Sequence, residues 1–381
     1  MTTPVNDWDG WFAERAASRE EAGLVRRLVP RGPDEDVLDL AGNDYLGLSR
    51  HPAVRAAAAD AATLWGAGAG ASRLVTGTLA LHEDLEHELA AFLGWPAALV
   101  TSTGYHANLA VVTALVDRSS LIVSDTHIHA SLIDAARLSR AEVVVTPHND
   151  VAAVRAALAD AGGRRVLVLA ESVYSVLGDA APQVELAEAC AAAGALLVVD
   201  EAHGLGLRGE LGDGLVAEVG LAGHPSVVVT ATLSKALGAQ GGAALGSPAL
   251  VEHLVNTARP FIFDTGLAPS PAAGALAALR VLRDQPRLPS VVHRRIAELG
   301  HALGVPELPA GAVLSVPMPS PQVALTAQAA CLAGGLRVGC FRPPSVPDGI
   351  SRLRITVNAG LADTDWSHAV DVLTRVVKEY R

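Results

Sequence analysis

Between Ala98 and Ala231, short runs rich in valine, leucine and isoleucine alternate with alanine-rich stretches of helical period. The apolar runs at 98–101, 121–124, 142–146, 165–170, 195–200 and 226–231 predict strands. The stretches at 105–116, 129–139, 151–161 and 184–193 predict helices between them. Continuous apolar strands separated by helices imply an α/β fold with a mostly parallel sheet covered on both faces. Polar residues recur where the strands end, at Ser124-Asp125, Glu171-Ser172, Asp200-Glu201 and Thr232. That edge is where open α/β sheets place their ligands.

The flanks read differently. Residues 7–29 predict a helix that carries Trp8, Trp11 and Phe12 near its start and is closed by Pro30, Gly32 and Pro33. A short strand follows at 37–40, then an alanine-rich helix at 52–65 begun by Pro52. A Gly/Ala-rich loop, WGAGAGASRLVTG, leads to a helix with Leu81, Leu85, Leu89 and Phe92 on one face. Beyond Pro286–Pro289 the pattern changes to a helix at 291–303, short strands at 312–316 and 352–357, and a last helix at 366–380. The expected organisation is an N-terminal helix and arm (1–45), a large domain (46–285) and a smaller α+β C-terminal domain (286–381).

Composition narrows the function classes. Half of the 381 residues are apolar and 18% are charged, so the chain has the material for a large core and is not disordered. A formal net charge of −11 argues against a broad nucleic-acid surface. No apolar run approaches the roughly 20 residues of a membrane span, and the N-terminus has no apolar segment of the secretory kind. Cys190, Cys331 and Cys340 form a sparse, odd set that predicts free thiols in a reducing compartment, hence a cytoplasmic protein with no zinc site.

One count directs attention to chemistry. Only two of the 29 basic residues are lysines, Lys235 and Lys378. Lys378 falls on a charged terminal helix. Lys235 falls in VVVTATLSKALGAQGG, between an apolar run and glycines. Lysine can lose its proton and act as an amine nucleophile where arginine cannot. In VVDEAHGLG, Asp200 ends a strand and His203 follows. By themselves they fit a surface turn or one half of a metal site, but no further ligand stands at metal spacing. Together with Lys235 they suit pyridoxal phosphate, which needs a lysine for the Schiff base and a carboxylate for the pyridinium nitrogen. STGYHAN (102–108) opens a helix whose free N–H groups either are simply capped or hold an anion. His127 and His129 stand before another helix, as capping residues or with an imidazole laid over an aromatic cofactor.

These motifs, in order, resemble the α-oxoamine synthases, a family of fold-type I pyridoxal-phosphate enzymes. The similarity runs from GNDYLGLSRHP (42–52) through ASRLVTGT (71–78), STGYHANLA (102–110), DTHIHASLIDA (125–135), ESVYSVLGD (171–179), VVDEAHGLG (198–206), TLSKALGAQGG (232–242) and FIFDTGLAP (261–269) to FRPPSVPDGISRLRIT (341–356). It implies a seven-stranded-type sheet in the large domain and pyridoxal 5'-phosphate as cofactor. It implies that Lys235 is the Schiff-base lysine, Asp200 the pyridinium partner, His203 the donor to the ring oxygen and His129 the residue stacked on the ring. Gly104, Tyr105, Ser175 and Thr232 match cofactor contacts. Thr265 matches a phosphate contact taken from the neighbouring subunit, which implies a homodimer with shared active sites. Arg354 and Asn43 match residues on the amino-acid side. The FRPPSVPDG segment points to the branch that joins L-alanine to a pimeloyl thioester, on CoA or a carrier protein, in biotin biosynthesis.

The chain departs from the family pattern in three places. Ser345 replaces the threonine of the acyl site, Ala71 stands where a glycine is expected, and the N-terminal substrate arginine is either Arg26 or Arg27, of which Arg26 is taken. Two other readings stand beside this one. The first is a sister synthase using glycine or serine, or an aminotransferase. The second is a catalytically silent binding subunit, which should lack the lysine that is present here.

Overall fold

The computed structural model describes residues 7–21, 24–26, 28–33, 35–343, 346 and 348–381. The chain forms two compact units, residues 1–37 and 38–381. In the first, a helix spans Trp8–Glu21 and buries none of its residues. It is shorter than the helix expected over 7–29, since residues 24–26 and 28–32 are not helical. A helix with no buried face rests on local propensity alone, which sustains only a few turns. Trp8, Trp11 and Phe12 pack against one another along it, with ring centroids 5.3–6.3 Å apart.

The second unit holds eleven strands among its described residues: β1 Leu38–Leu40, β2 Ala97–Thr101, β3 Leu121–Asp125, β4 Glu142–Thr146, β5 Val166–Glu171, β6 Leu196–Asp200, β7 Val227–Thr232, β8 Gly242–Gly246, β9 Val313–Pro317, β10 Leu336–Phe341 and β11 Arg352–Thr356. Seven form one sheet in the order β2-β8-β7-β6-β5-β3-β4. The contacts from β7 through β4 are parallel, and β8 runs antiparallel to both its neighbours. This is the mostly parallel α/β sheet expected from the apolar runs. Its central strands are buried along their whole length because helices cover both faces. Each fully buried valine, leucine or isoleucine contributes about 1.5–3 kcal/mol.

Strand β8, with the sequence GAALG, gives no strand signal, since glycine and alanine are poor strand formers. Packing explains the small residues. A Cβ at Gly242 would come within 2.3 Å of the Thr103 carbonyl oxygen. The helices Pro269–Asp284 and Pro321–Ala333 and strand β10 likewise carry no expectation from the sequence. The first is buried against Pro52–Trp65. A second sheet, β1-β10-β11-β9, joins the short strand after residue 37 to the C-terminal strands. Among the described residues no helix is long and apolar enough to cross a membrane.

Candidate active site

The parallel strands deliver their last residues to one edge. Glu171 and Asp200 are register partners at the ends of β5 and β6, and Asp200 faces Thr230 on β7. His203 and Lys235 follow in the turns after β6 and β7. The Lys235 Nζ lies 2.8 Å from His203 Nε2. Burial pushes the Lys235 amine below its ordinary value and Arg354 adds to this, while Asp200 and Glu171 oppose it. His203 is held well below its ordinary value by burial, with Lys235, Arg354 and His129 adding. The imidazole is therefore neutral at physiological pH.

Asp200 is buried and its two oxygens are separately held. Oδ1 accepts from the Ala202 N–H at 2.9 Å, and Oδ2 accepts from Asn108 Nδ2 at 2.8 Å. Asn108 also donates to Ser131 Oγ at 2.8 Å and accepts from Thr230 Oγ1 at 2.6 Å. Ser131 Oγ stands 2.7 Å from His129 Nδ1, which also accepts from the Ser131 N–H and so caps the helix Ala130–Ser139. With Nδ1 an acceptor, the neutral ring of His129 carries its proton on Nε2. Burial lowers the His129 pKa, Asp200 opposes this and Lys235 adds to it.

Glu171 accepts from the Ser175 N–H at 3.1 Å, and its Oε1 has no partner among the described residues. Burial pushes this carboxyl up, and the neighbouring Asp200 charge adds to the effect. Arg354, buried on β11, donates from Nε to the Ser175 carbonyl at 2.9 Å and from both Nη atoms to Asn43 Oδ1 at 3.2 Å. Tyr45 Oη lies 3.2 Å from the same Asn43 oxygen and 2.7 Å from His203 Nδ1.

Gly104 and Tyr105 open the helix Gly104–Leu115, which Thr103 caps by accepting from the His106 N–H. The N–H groups of Gly104 and Tyr105 have no partner among the described residues. A Cβ at Gly104 would approach Thr232 Cβ to 2.9 Å, so the turn lies against the end of β7. Thr232 Oγ1 is 2.7 Å from Ser234 Oγ. The Tyr105 hydroxyl donates to Asp134 at 2.6 Å.

The structure thus brings Lys235, His203, Asp200, Ser175, Asn43 and Arg354 into one hydrogen-bonded and charged group, with His129 joined to it through Ser131 and Asn108. Thr265 stands apart, exposed in the single chain and bridged to Ser72. Arg26 is exposed in the first unit. Ser345 lies outside the described residues. Tyr45 and Asn108 carry no site expectation from the sequence. Asn108 carries a usable signal, a lone polar side chain among the buried Ala107, Leu109, Ala110 and Val111.

Residues 35–373 match the family described as aminotransferase class I and II, which defines the class of the protein. The 8-amino-7-oxononanoate synthase of Mycolicibacterium gilvum (strain PYR-GCK) is 55% identical over 367 residues, covering 96% of this chain and 97% of that protein. The 8-amino-7-oxononanoate synthase of Mycolicibacterium smegmatis (strain ATCC 700084 / mc(2)155) is 55% identical over 371 residues, 97% of each. The chain belongs to the 8-amino-7-oxononanoate synthase family. Among solved structures, serine palmitoyltransferase from S. paucimobilis with a bound PLP–myriocin aldimine superposes with a TM-score of 0.90 at 28% identity, covering 99% of both chains.

Proposed function

We propose that this chain is an acyltransferase that condenses L-alanine with a pimeloyl thioester, using pyridoxal 5'-phosphate, to give 8-amino-7-oxononanoate, carbon dioxide and free thiol. The observation that carries the reading is the meeting of Lys235, His203 and Asp200 at the ends of adjacent parallel strands, in a chain 55% identical to synthases of that name.

The residues present fit the cofactor. Lys235 is a half-buried amine whose pKa is lowered to about 8. Asp200 is a buried carboxylate whose orientation is fixed from both oxygens. The unpartnered N–H groups of Gly104 and Tyr105, with the hydroxyl of Thr232, form an anion cradle at a helix N-terminus. The cofactor, when bound, supplies an electron sink for charge at the α-carbon of the amino acid.

The protein's own side chains do the rest. The Lys235 amine would hold the cofactor covalently, and the free amine would accept the α-proton of alanine at Nζ. Asp200 keeps a positive charge at the ring nitrogen. His129 would stack on the ring, with His203 and Ser175 as further contacts to it. Arg354 and Asn43 orient the amino-acid carboxylate. The α-carbon forms a bond to the thioester carbonyl carbon as the thiolate leaves and takes a proton from solvent; its bond to the carboxyl carbon then breaks with release of carbon dioxide, and the proton held at Lys235 Nζ returns to that carbon. We assign Arg26 and Ser345 to the acyl chain. The exposed Thr265 we assign to the site of a second copy, making the active unit a homodimer with shared sites.

A second reading, serine condensed with a long acyl thioester, is favoured by the 0.90 TM-score to serine palmitoyltransferase. Product mass and initial rate, across acetyl, succinyl, palmitoyl and pimeloyl thioesters with alanine, glycine and serine, separate the two. Alanine with pimeloyl thioester is expected to be fastest. A clear preference for serine with palmitoyl-CoA overturns the proposal and leaves the cofactor assignment standing.

A further inference from the structure

Five side chains from four separate segments form a continuous line of hydrogen bonds. It runs from Arg354 on β11 to Asn43 and Tyr45 in the loop after β1, then to His203 after β6 and Lys235 after β7. We propose that Tyr45 is a positioning residue whose hydroxyl fixes His203 as the tautomer protonated at Nδ1, leaving Nε2 as the acceptor that faces Lys235 Nζ.

The direction of each bond follows from what each group can donate. A guanidinium only donates, so the Asn43 atom facing Arg354 is the carbonyl oxygen Oδ1. An ammonium only donates, so the His203 atom facing Lys235 must accept while the lysine is charged. A neutral imidazole with an acceptor at Nε2 carries its proton at Nδ1, and that N–H points at Tyr45 Oη, 2.7 Å away. The tyrosine oxygen accepts it and turns its own proton to Asn43 Oδ1 at 3.2 Å. Every bond in the line then joins a donor to an acceptor. The opposite tautomer would set an N–H against the Lys235 ammonium.

Tyr45 suits this task because it does not titrate. It is fully buried, and burial raises its pKa although Arg354 opposes the shift. Its hydroxyl is the partner that His203 Nδ1 has among the described residues. Tyr45 faces Arg354 and Glu171. Lys235 faces Asp200, Glu171 and Arg354, and His203 faces Lys235, Arg354 and His129.

The tautomer bears on function. It places a lone pair, not a proton, at the His203 atom nearest Lys235, the reverse of a histidine that donates to a ring oxygen. It also ties the group that holds the amino-acid carboxylate to the group that takes the α-proton. The inference rests on the proposed function only in giving Lys235 and Arg354 their chemical roles.

The test needs neither substrate nor cofactor, so its failure is distinct from failure of the proposed reaction. In the full-length chain labelled with nitrogen-15 histidine, NMR reports which ring nitrogen of each of the 13 histidines carries the proton. The His203 signals are identified by their loss in His203→Asn. Protonated Nδ1 with bare Nε2 is expected, and protonated Nε2 overturns the proposal. Because Lys235 and Lys378 are the only lysines, carbon-13 lysine labelling gives the titration of Lys235 beside an internal reference. In Tyr45→Phe the Nδ1–H loses its partner, the tautomer reverses, and the acceptor facing the ammonium disappears. The Lys235 midpoint is then expected to fall by about one pH unit, while Lys378 stays in place. An unchanged Lys235 midpoint in a Tyr45→Phe protein that melts cooperatively also overturns the proposal. If that variant does not fold, the wild-type tautomer decides alone.

Discussion

Asn108 donates to Asp200 Oδ2 at 2.8 Å and, through its second amide proton, to Ser131 Oγ, which sits 2.7 Å from His129 Nδ1. One amide therefore sets the orientation both of the carboxylate assigned to the ring nitrogen and of the imidazole assigned to the ring face. Thr230 Oγ1 fixes the amide's own orientation by donating to Oδ1.

Asn108→Ala is expected to lower kcat about 10–100-fold, the effect of losing a hydrogen bond to a buried charge. The fall should accompany weaker cofactor binding, because Asp200 and His129 lose their support together. Steady-state rates and a cofactor titration check this. A variant with wild-type kcat and cofactor affinity would show that Ala202 and Ser131 suffice to hold the two groups.

Lys235→Ala and Lys235→Arg are both expected to lose activity by at least about a thousandfold, the upper part of what one proton-transferring group supplies. Arginine keeps its proton at working pH and cannot replace the amine. Borohydride treatment of the wild-type holoenzyme followed by peptide mapping should place the cofactor on the peptide that contains Lys235. Label on the Lys378 peptide would move the site.

A second cluster next to the site predicts alkaline sensitivity. His148 bridges Asp125 at 2.9 Å and Asp179 at 2.8 Å, tying the loop that carries His129 to the loop that carries Ser175. Burial opposes its charge, but the bonds to the two carboxylates prevail and raise its pKa to about 9. The unfolded value is near 6.5, so the stabilisation is fully present below about pH 6.5 and is lost as pH rises through about 9. The shift corresponds to about 3 kcal/mol as an upper figure for a side chain that is 19% exposed. His148→Gln should lower the urea midpoint at pH 6 and differ little from wild type at pH 10. An equal loss at both pH values would assign the stabilisation to packing against His127 and Tyr174.

What the sequence disclosed followed from local pattern. The apolar runs that became β3, β5, β6 and β7 announce themselves over a few residues, and Lys235 stands out by rarity. Asp200 is visible because it breaks an apolar run at its end. β8 stayed hidden because its small residues answer to the close approach of Thr103, a contact that no local window contains. Tyr45 stays hidden for the same reason, and Asn108, though it stands out as a lone polar residue in an apolar run, shows nothing local of what it holds. Their partners, His203 and Asp200, lie 158 and 92 positions away, and nothing local distinguishes a tyrosine that buries its ring from one that also positions a histidine.

The donors of Arg354 lead to the last prediction. A guanidinium has five N–H groups. In the structure Nε donates to Ser175, both Nη atoms donate to Asn43 Oδ1, and Nη1 also donates to Thr356 Oγ1. One N–H, on Nη2, is left over among the described contacts. A carboxylate held by two parallel bonds needs one N–H beyond this spare one, and a bond now made to Asn43 at 3.2 Å supplies it, so Asn43 keeps the fork in place until the amino acid arrives. Arg354→Lys keeps the charge but loses the planar fork and the bond to Ser175. KM for alanine is expected to rise about 10–100-fold, with KM for the pimeloyl thioester within about twofold of wild type, since the lost bonds are those of carboxylate recognition. Initial rates with each substrate varied at saturating levels of the other separate the two constants. An equal rise in both would place Arg354 in the architecture shared by the two substrates, and a rise for the thioester alone would move the amino-acid carboxylate to another residue.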